Sequence, residues 1–301
     1  MHKYLITLFI LLATALTAVG QPAEIEQDMF ETMLEGDKAV IVAVHVGAED
    51  ATALQQIDRF NSRLQQAYPN YDFRQAWTTR ELINQQASTA PSRITTPDEL
   101  FSQLKKDGYT HVLVQSSNII NCTEMQFLRH AVETAKEHFK QIRLGEPLLS
   151  TPADYEDAIK AMAEAYGSDK EANILMCSGT ASVEDSQYAM LDYTLKDHEL
   201  TEWFVGTVDG YPSLESLKKQ LKSNKIKKVH LIPFTFAQSS QSTSSTLQEW
   251  TQELQEAGYK VSSEMRCLGD LDAIMDIFEN HIRHAEKFRR YSAKEMKLIA
   301  R

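Results

Sequence analysis

The chain has 301 residues, of which 43% are hydrophobic, with 31 Lys plus Arg against 42 Asp plus Glu and a net charge of −11. That acidity argues against a nucleic-acid partner, which needs a basic face; a small ligand stays open, because a local patch can override net charge. Cys122, Cys177 and Cys267 are too widely spaced for a CxxC metal motif or a disulfide framework, and at most one bridge could form.

Met1-His2-Lys3-Tyr4 leads into an apolar run from Leu5 to Leu16 and then Thr17-Ala18-Val19-Gly20-Gln21. A short basic start, an apolar stretch too short to span a bilayer and small residues at the cut site describe a signal peptide over residues 1–20. The expectation is an exported protein, periplasmic or at the cell surface. No cysteine follows the cut to carry a lipid anchor.

Ala39 to Val46 is a continuous β-branched and apolar run, the pattern of a strand buried on both faces. A helical pattern follows over 51–67, then a strand over 71–77. Thr96-Pro97-Asp98-Glu99 opens a helix with a cap, a first-position proline and first-turn acids, and that helix ends near Gly108. His111 to Ile119 reads as the next strand, 123–139 as a helix and 142–149 as a strand. Ser150-Thr151-Pro152 marks a boundary, giving lobes at 37–150 and 151–290. The second repeats the alternation: a helix over 154–166, strands at 173–177, 203–208, 229–236 and 260–266 with helices between them, and an amphipathic helix over 270–288. The halves also resemble each other. LFSQLKKDGYTHVLVQSSNI (100–119) and LKKQLKSNKIKKVHLIPFTF (217–236) share Leu, Gln, Leu and Lys in register. The economical fold is a duplicated α/β unit: two similar Rossmann-like lobes, each a parallel sheet flanked by helices. A ligand cleft would lie between them at the carboxyl ends of the strands.

Gly206-Thr207-Val208-Asp209-Gly210-Tyr211-Pro212 follows the apolar Trp203-Phe204-Val205 and places a carboxylate at such a strand end. Alone, it is equally a strand-to-helix turn punctuated by Gly and Pro. It keeps company with Met176-Cys177-Ser178-Gly179-Thr180, with Tyr188-Ala189-Met190-Leu191-Asp192-Tyr193 and with Val229-His230-Leu231-Ile232-Pro233-Phe234. Upstream stand Asp98-Glu99-Leu100, Val112-Leu113-Val114-Gln115, Ile119-Ile120-Asn121, Leu144-Gly145-Glu146-Pro147-Leu148-Leu149 and Asp154-Tyr155. In this order, over roughly residues 38 to 285, the chain resembles the anaerobic-type sirohydrochlorin cobaltochelatases, which are class II chelatases.

The resemblance implies a chelatase-like fold whose cleft holds a tetrapyrrole, with cobalt or iron as the metal. Histidines and a carboxylate of the family bind the ion and take the pyrrole protons, work suited to neutral imidazole. This chain departs from that pattern. The family's Gly-His-Gly is Cys177-Ser178-Gly179, which puts Ser178 at the catalytic histidine position. The second histidine falls near Gln241, the third at Asn118, and the family glutamate at Asp209. Ser, Asn and Gln are poor ligands for cobalt or iron(II) and are not bases near neutral pH. Only Asp209 keeps the type of side chain that could touch metal.

Met176, Cys177, Gly179 and Thr180 are expected beside the same cleft; Met176, Cys177 and Met190 are soft donors whose default role is packing. His45, at the end of the first strand, is read either as a satisfied structural histidine or as a ligand. His130, His138, His198, His281 and His284 are expected on solvated helix faces. The run from Gln238 to Thr246 is either a polar helix cap or a lid. Two functions follow. One is an exported binder of haem or a related tetrapyrrole, implying an outer-membrane haem-uptake partner, with self-assembly into a homo-oligomer left open. The other is an enzyme that still inserts or removes a metal.

Overall fold

A computed structural model of the protein describes residues 24–47, 51–78, 95–168, 170–180, 182–237 and 242–290. The leader expected at 1–20, and Gln241, lie outside these residues. The described chain runs β1 (Glu24–Glu26), β2 (Ala39–His45), α1 (Ala51–Ala67), β3 (Asp72–Trp77), α2 (Pro97–Lys106), β4 (His111–Ser116), α3 (Thr123–Ala135), β5 (Gln141–Leu144) and α4 (Pro152–Tyr166). It continues with β6 (Ala172–Cys177), α5 (Ser186–Asp197), β7 (Trp203–Thr207), α6 (Leu214–Ser223), β8 (Lys228–Pro233), α7 (Ser242–Glu256), β9 (Lys260–Ser263), α8 (Asp272–Lys287) and β10 (Phe288–Arg290).

The strands form two four-stranded sheets, ordered β3-β2-β4-β5 and β7-β6-β8-β9, with every pairing parallel. The connectivity is the same in both: the first strand is central, the second lies on one edge and the third on the other side. The two segments that look alike in sequence occupy equivalent places, as α2–β4 in one sheet and α6–β8 in the other. A short antiparallel pair, β1–β10, joins the chain's described ends.

Caps set two of the helices. Thr96 accepts from Glu99 N while Glu99 reaches back to Thr96 N, a capping box closed by Pro97 in the first turn. Thr151, Pro152 and Asp154 repeat the device at α4. Alternate residues of β2 then serve opposite faces of its sheet. Val40, Val42 and Val44 pack on Leu100, Phe101, Met125 and Leu128 of α2 and α3. Ile41 and Ala43 turn to Ile57, Phe60 and Phe278 of α1 and α8. That second face belongs to a core that also takes in Leu175 and Ile232 of the other sheet and Tyr155 and Leu191 of α4 and α5. One continuous core therefore joins the two lobes, and each full burial of such a side chain is worth about 1.5–3 kcal/mol.

The chain's last helix packs on the first lobe and on α4. From α1, Arg63 pairs with Glu279 (2.8 Å) and with Asp276. From β5, Arg143 Nη1 donates to the α8 carbonyls of Ala285 (3.1 Å) and Glu286 (2.6 Å). Among the described residues no helix is long and apolar enough to cross a membrane.

Candidate functional site

At the carboxyl ends of β2, β4, β6, β7 and β8 the two lobes enclose a cavity of about 730 Å³. This is the place where parallel α/β sheets expose backbone and loops to ligands, and the size suits a small molecule. Val46, Gly47, Ala53 and Ile57 come from the end of β2 and from α1. Ser117 to Ile120 and Cys122 come from the β4–α3 connection, and Thr123 and Glu124 from the first turn of α3. The second lobe gives Met176 to Thr180, Tyr188, Val208, Asp209, Thr235 to Ala237, and Thr246. Ser178, Asp209, Asn118, Met176, Cys177, Gly179 and Thr180, all expected here from the sequence, line one cavity.

Two loops of the second lobe are fastened to each other. Gly179 sits at φ +79°, and a Cβ there would meet the carbonyl oxygen of Asp209 at 1.4 Å. Asp209 N in turn donates to Ser178 O (2.9 Å). Buried Asp185 accepts from Thr180 N (2.8 Å), Thr180 Oγ1 (3.0 Å) and Tyr211 N (3.0 Å). A Cβ on Gly210, at φ +105°, would meet the Asp185 carboxylate at 1.8 Å. The Ser-Gly-Thr turn and the Asp-Gly-Tyr turn thus form one rigid wall, with Ser178 and Asp209 exposed on it.

The first-lobe wall is held differently. Asn118 is buried with its side chain folded back: Nδ2 donates to Cys122 Sγ (2.9 Å) and Oδ1 accepts from Ser116. His45 does not line the cavity, and this corrects its expected place in the cleft. It is fully buried one layer behind, edge-on to Phe60 and tilted against Trp77. Asn61 Nδ2 donates to Gln75 Oε1 (2.8 Å), which turns Asn61 Oδ1 toward His45 Nε2 (2.9 Å). The ring therefore donates from Nε2, and its Nδ1 accepts the hydroxyl of Ser117 (2.9 Å). Burial drives its pKa down to about 4, so the imidazole is neutral and both nitrogens are committed. It positions the cavity residue Ser117 and has no free nitrogen for a metal.

His281, expected on a solvated face, is instead partly buried. It bridges Glu146 O (3.1 Å) and Asp154 Oδ1 (3.0 Å), pinning α8 to α4. Burial raises the Asp154 carboxyl, but the hydrogen bond and charge of His281 together with the hydrogen bonds from Thr151 leave the pKa lowered. Met190, a soft donor expected near the cleft, is 40% exposed on α5 and does not line the cavity.

The thiols and the phenol of the lining are held in their neutral forms. Burial pushes the Cys177 thiol and the Tyr188 phenol well above their ordinary pKa values and raises that of Cys122. All three cysteines are free thiols. Among the described residues no group of three or more His, Cys, Asp or Glu stands together as a metal site. The wall offers hydroxyls, an amide, thiols, apolar side chains and the carboxylates of Glu124 and Asp209; its hydroxyl and amide groups hold hydrogen bonds but do not take protons near neutral pH.

Sequence reasoning missed Asp185, Ser117, Glu124, Thr235 and Phe236. For Phe236 a signal existed, because the apolar run after Val229 outlasts the strand. Asp185 had none, since its role depends on two distant turns converging.

Residues 38–287 match the family model described as cobalt chelatase (CbiK). The chain is 25% identical over 256 residues to the sirohydrochlorin cobaltochelatase of Salmonella typhimurium, covering 82% of this chain and 96% of that protein. Its fold is similar to that of SirB from Bacillus subtilis with Fe3+, at TM-score 0.60 and 14% identity over 83% of this chain and 96% of the other. It is similar also to the sirohydrochlorin chelatase SirB from Bacillus subtilis subspecies spizizenii in complex with cobalt, at TM-score 0.55 and 13% identity, over 83% and 95% of the two chains. Two parallel sheets meeting at a strand-end cavity, and a family model spanning both, lead to one conclusion: the chain belongs to the cobalt chelatase (CbiK) family.

Proposed function

We propose that this protein is an exported, chelatase-like tetrapyrrole binder that holds haem for iron or haem acquisition, with metal insertion lost or reduced. The observation that carries this is the make-up of the cavity. No histidine lines it among the described residues, and the positions matching the family's first and third histidines carry Ser178 and Asn118 there, with the second near Gln241. Insertion needs groups that ligate the ion and accept pyrrole protons, whereas holding a macrocycle needs apolar walls and hydrogen bonds. Ala53, Ile57, Ile119, Ile120, Met176 and Phe236 supply the walls. The leader-like first 20 residues support export, and an outer-membrane haem-uptake partner belongs to the same proposal.

The test is a spectroscopic titration of the full mature chain with haem and, separately, with sirohydrochlorin plus cobalt(II). The expected result is a saturable Soret shift without cobalt insertion. Absence of any Soret shift overturns haem binding. Cobalt-dependent conversion of sirohydrochlorin would instead establish the second reading as an active cobaltochelatase, which is favoured by the match across 96% of the Salmonella enzyme, and loss of iron from the added haem would establish it as a haem dechelatase. In that case Asp209 is the carboxylate at issue, and Asp209→Ala lowers the rate.

A further inference from the structure

The cavity carries a charge pattern that bears on which tetrapyrroles it accepts. Its lining includes the carboxylates of Glu124, on the first turn of α3, and Asp209, on the exposed turn after β7. Among the described lining residues there is no lysine, arginine or histidine. The basic side chains on the two helices that contribute to the first-lobe wall are engaged elsewhere. On α1, Arg59 pairs with Asp272 (2.8 Å) and Arg63 with Glu279 (2.8 Å). On α3, Arg129 pairs with Glu146. Each is turned toward a partner carboxylate outside the cavity lining, so the acidic character of the wall is not offset by them.

Tetrapyrroles differ chiefly in how many carboxylates fringe the ring. Sirohydrochlorin and the uroporphyrins carry acid groups all around the periphery. A protoporphyrin carries them on one edge only and presents methyl and vinyl groups elsewhere. A ring inserted between the lobes with an edge toward Glu124 and Asp209 would bring that part of its periphery against their carboxylates. Any carboxylate there is both desolvated and opposed by like charge. A ring acidic on one edge avoids this by pointing that edge to solvent; a ring acidic all around cannot.

We propose that the cavity selects by carboxylate number, taking porphyrins with acids on one edge and rejecting those fringed by carboxylates, with Glu124 and Asp209 as the discriminating residues. This rests on the tetrapyrrole-binding function above and narrows its ligand class. Each peripheral carboxylate held near one of these side chains weakens binding about fivefold, the size of a screened contact between like charges.

The experiment titrates the full mature chain with the iron(III) complexes of protoporphyrin IX, coproporphyrin and uroporphyrin, which share a metal and a core and rise in carboxylate number. Affinity is expected to fall along the series, by at least tenfold from first to last. Glu124→Gln and Asp209→Asn should each narrow that gap about fivefold, and raising the salt from low to near-molar should narrow it in the unaltered protein, because charge discrimination is screened and shape discrimination is not. Equal or tighter binding of the uroporphyrin complex, or a gap unmoved by salt and by both substitutions, overturns selection by charge while leaving tetrapyrrole binding intact. If none of the three binds, tetrapyrrole binding itself fails and the selection fails with it.

Discussion

His45 stands at the end of β2 with no charged neighbour among its ring and hydrogen-bond partners, Ser117, Asn61, Phe60 and Trp77. Its pKa falls from an ordinary 6.5 to about 4 because burial penalises the imidazolium. Between those values the unfolded chain binds a proton that the folded chain refuses. The contribution to stability is therefore complete above about pH 6.5 and is lost as the pH falls toward 4, amounting to on the order of 3 kcal/mol. Urea midpoints at pH 7 and pH 4.5 measure it. The unaltered chain should lose about 2–3 kcal/mol more over that interval than His45→Gln, which cannot titrate. Identical pH dependences in the two proteins would refute a buried neutral imidazole. The sequence placed His45 near a strand end but could not tell a wall residue from one just behind it, because that difference of one layer is set by how far α1 leans over β2.

At the scale of elements, the alternation of strands and helices was legible throughout, and strand ends were not. The strands expected to reach Ile119, Leu149 and Phe236 stop at Ser116, Leu144 and Pro233. The apolar residues beyond them do other work. Ile119, Ile120 and Phe236 face the cavity, and Leu148 and Leu149 enter the shared core. A hydrophobic run records burial and does not record whether the burial is in a ladder or against a cavity. Phe236 shows the coupling this creates. With Phe60 of α1 and Phe278 of α8 it forms an edge-to-face triad, with centroids 5.3–5.6 Å apart. Phe278→Ala removes a member of the triad that does not line the cavity and should cost about 3–5 kcal/mol, whereas Phe278→Leu should cost about half as much. Denaturant unfolding gives these values. Under the haem-binding function proposed above, the alanine variant should also bind haem more weakly, because the cavity wall at Phe236 loses its backing. Unchanged affinity in a destabilised variant would show that the wall is held by the backbone bonds of Gly269 N to Phe236 O (2.8 Å) and Leu268 N to Thr235 O (3.0 Å) alone.

For the whole molecule, the duplication could be read from the repeat of α2–β4 in α6–β8, but the route of α8 could not. Its amphipathic stripe announces a buried face without saying which sheet it covers. The structure sends it to the first lobe, where Phe278 and Ile282 complete the core beside Ile41 and Leu113, and β10 then pairs with β1. The first lobe is thus closed by residues that follow the second in sequence, and a single hydrophobic core passes through both. Such an arrangement should unfold as one unit, because loss of the second lobe releases α8 from its connection and exposes the inner face of the first sheet. The three tryptophans make this measurable: Trp77 reports on the first sheet, Trp203 and Trp250 on the second. Fluorescence of Trp203→Phe/Trp250→Phe follows the first lobe and that of Trp77→Phe the second. In urea, each variant's fluorescence transition should coincide with its own far-UV circular dichroism transition. Under the proposed haem binding, a haem-saturated sample should shift both signals together, since a ligand held between lobes stabilises whatever must be folded to bind it. A variant in which the fluorescence of one lobe melts ahead of the circular dichroism would mean that the cavity lies between two independently stable domains, and that α8 is a strap over the first rather than part of its core.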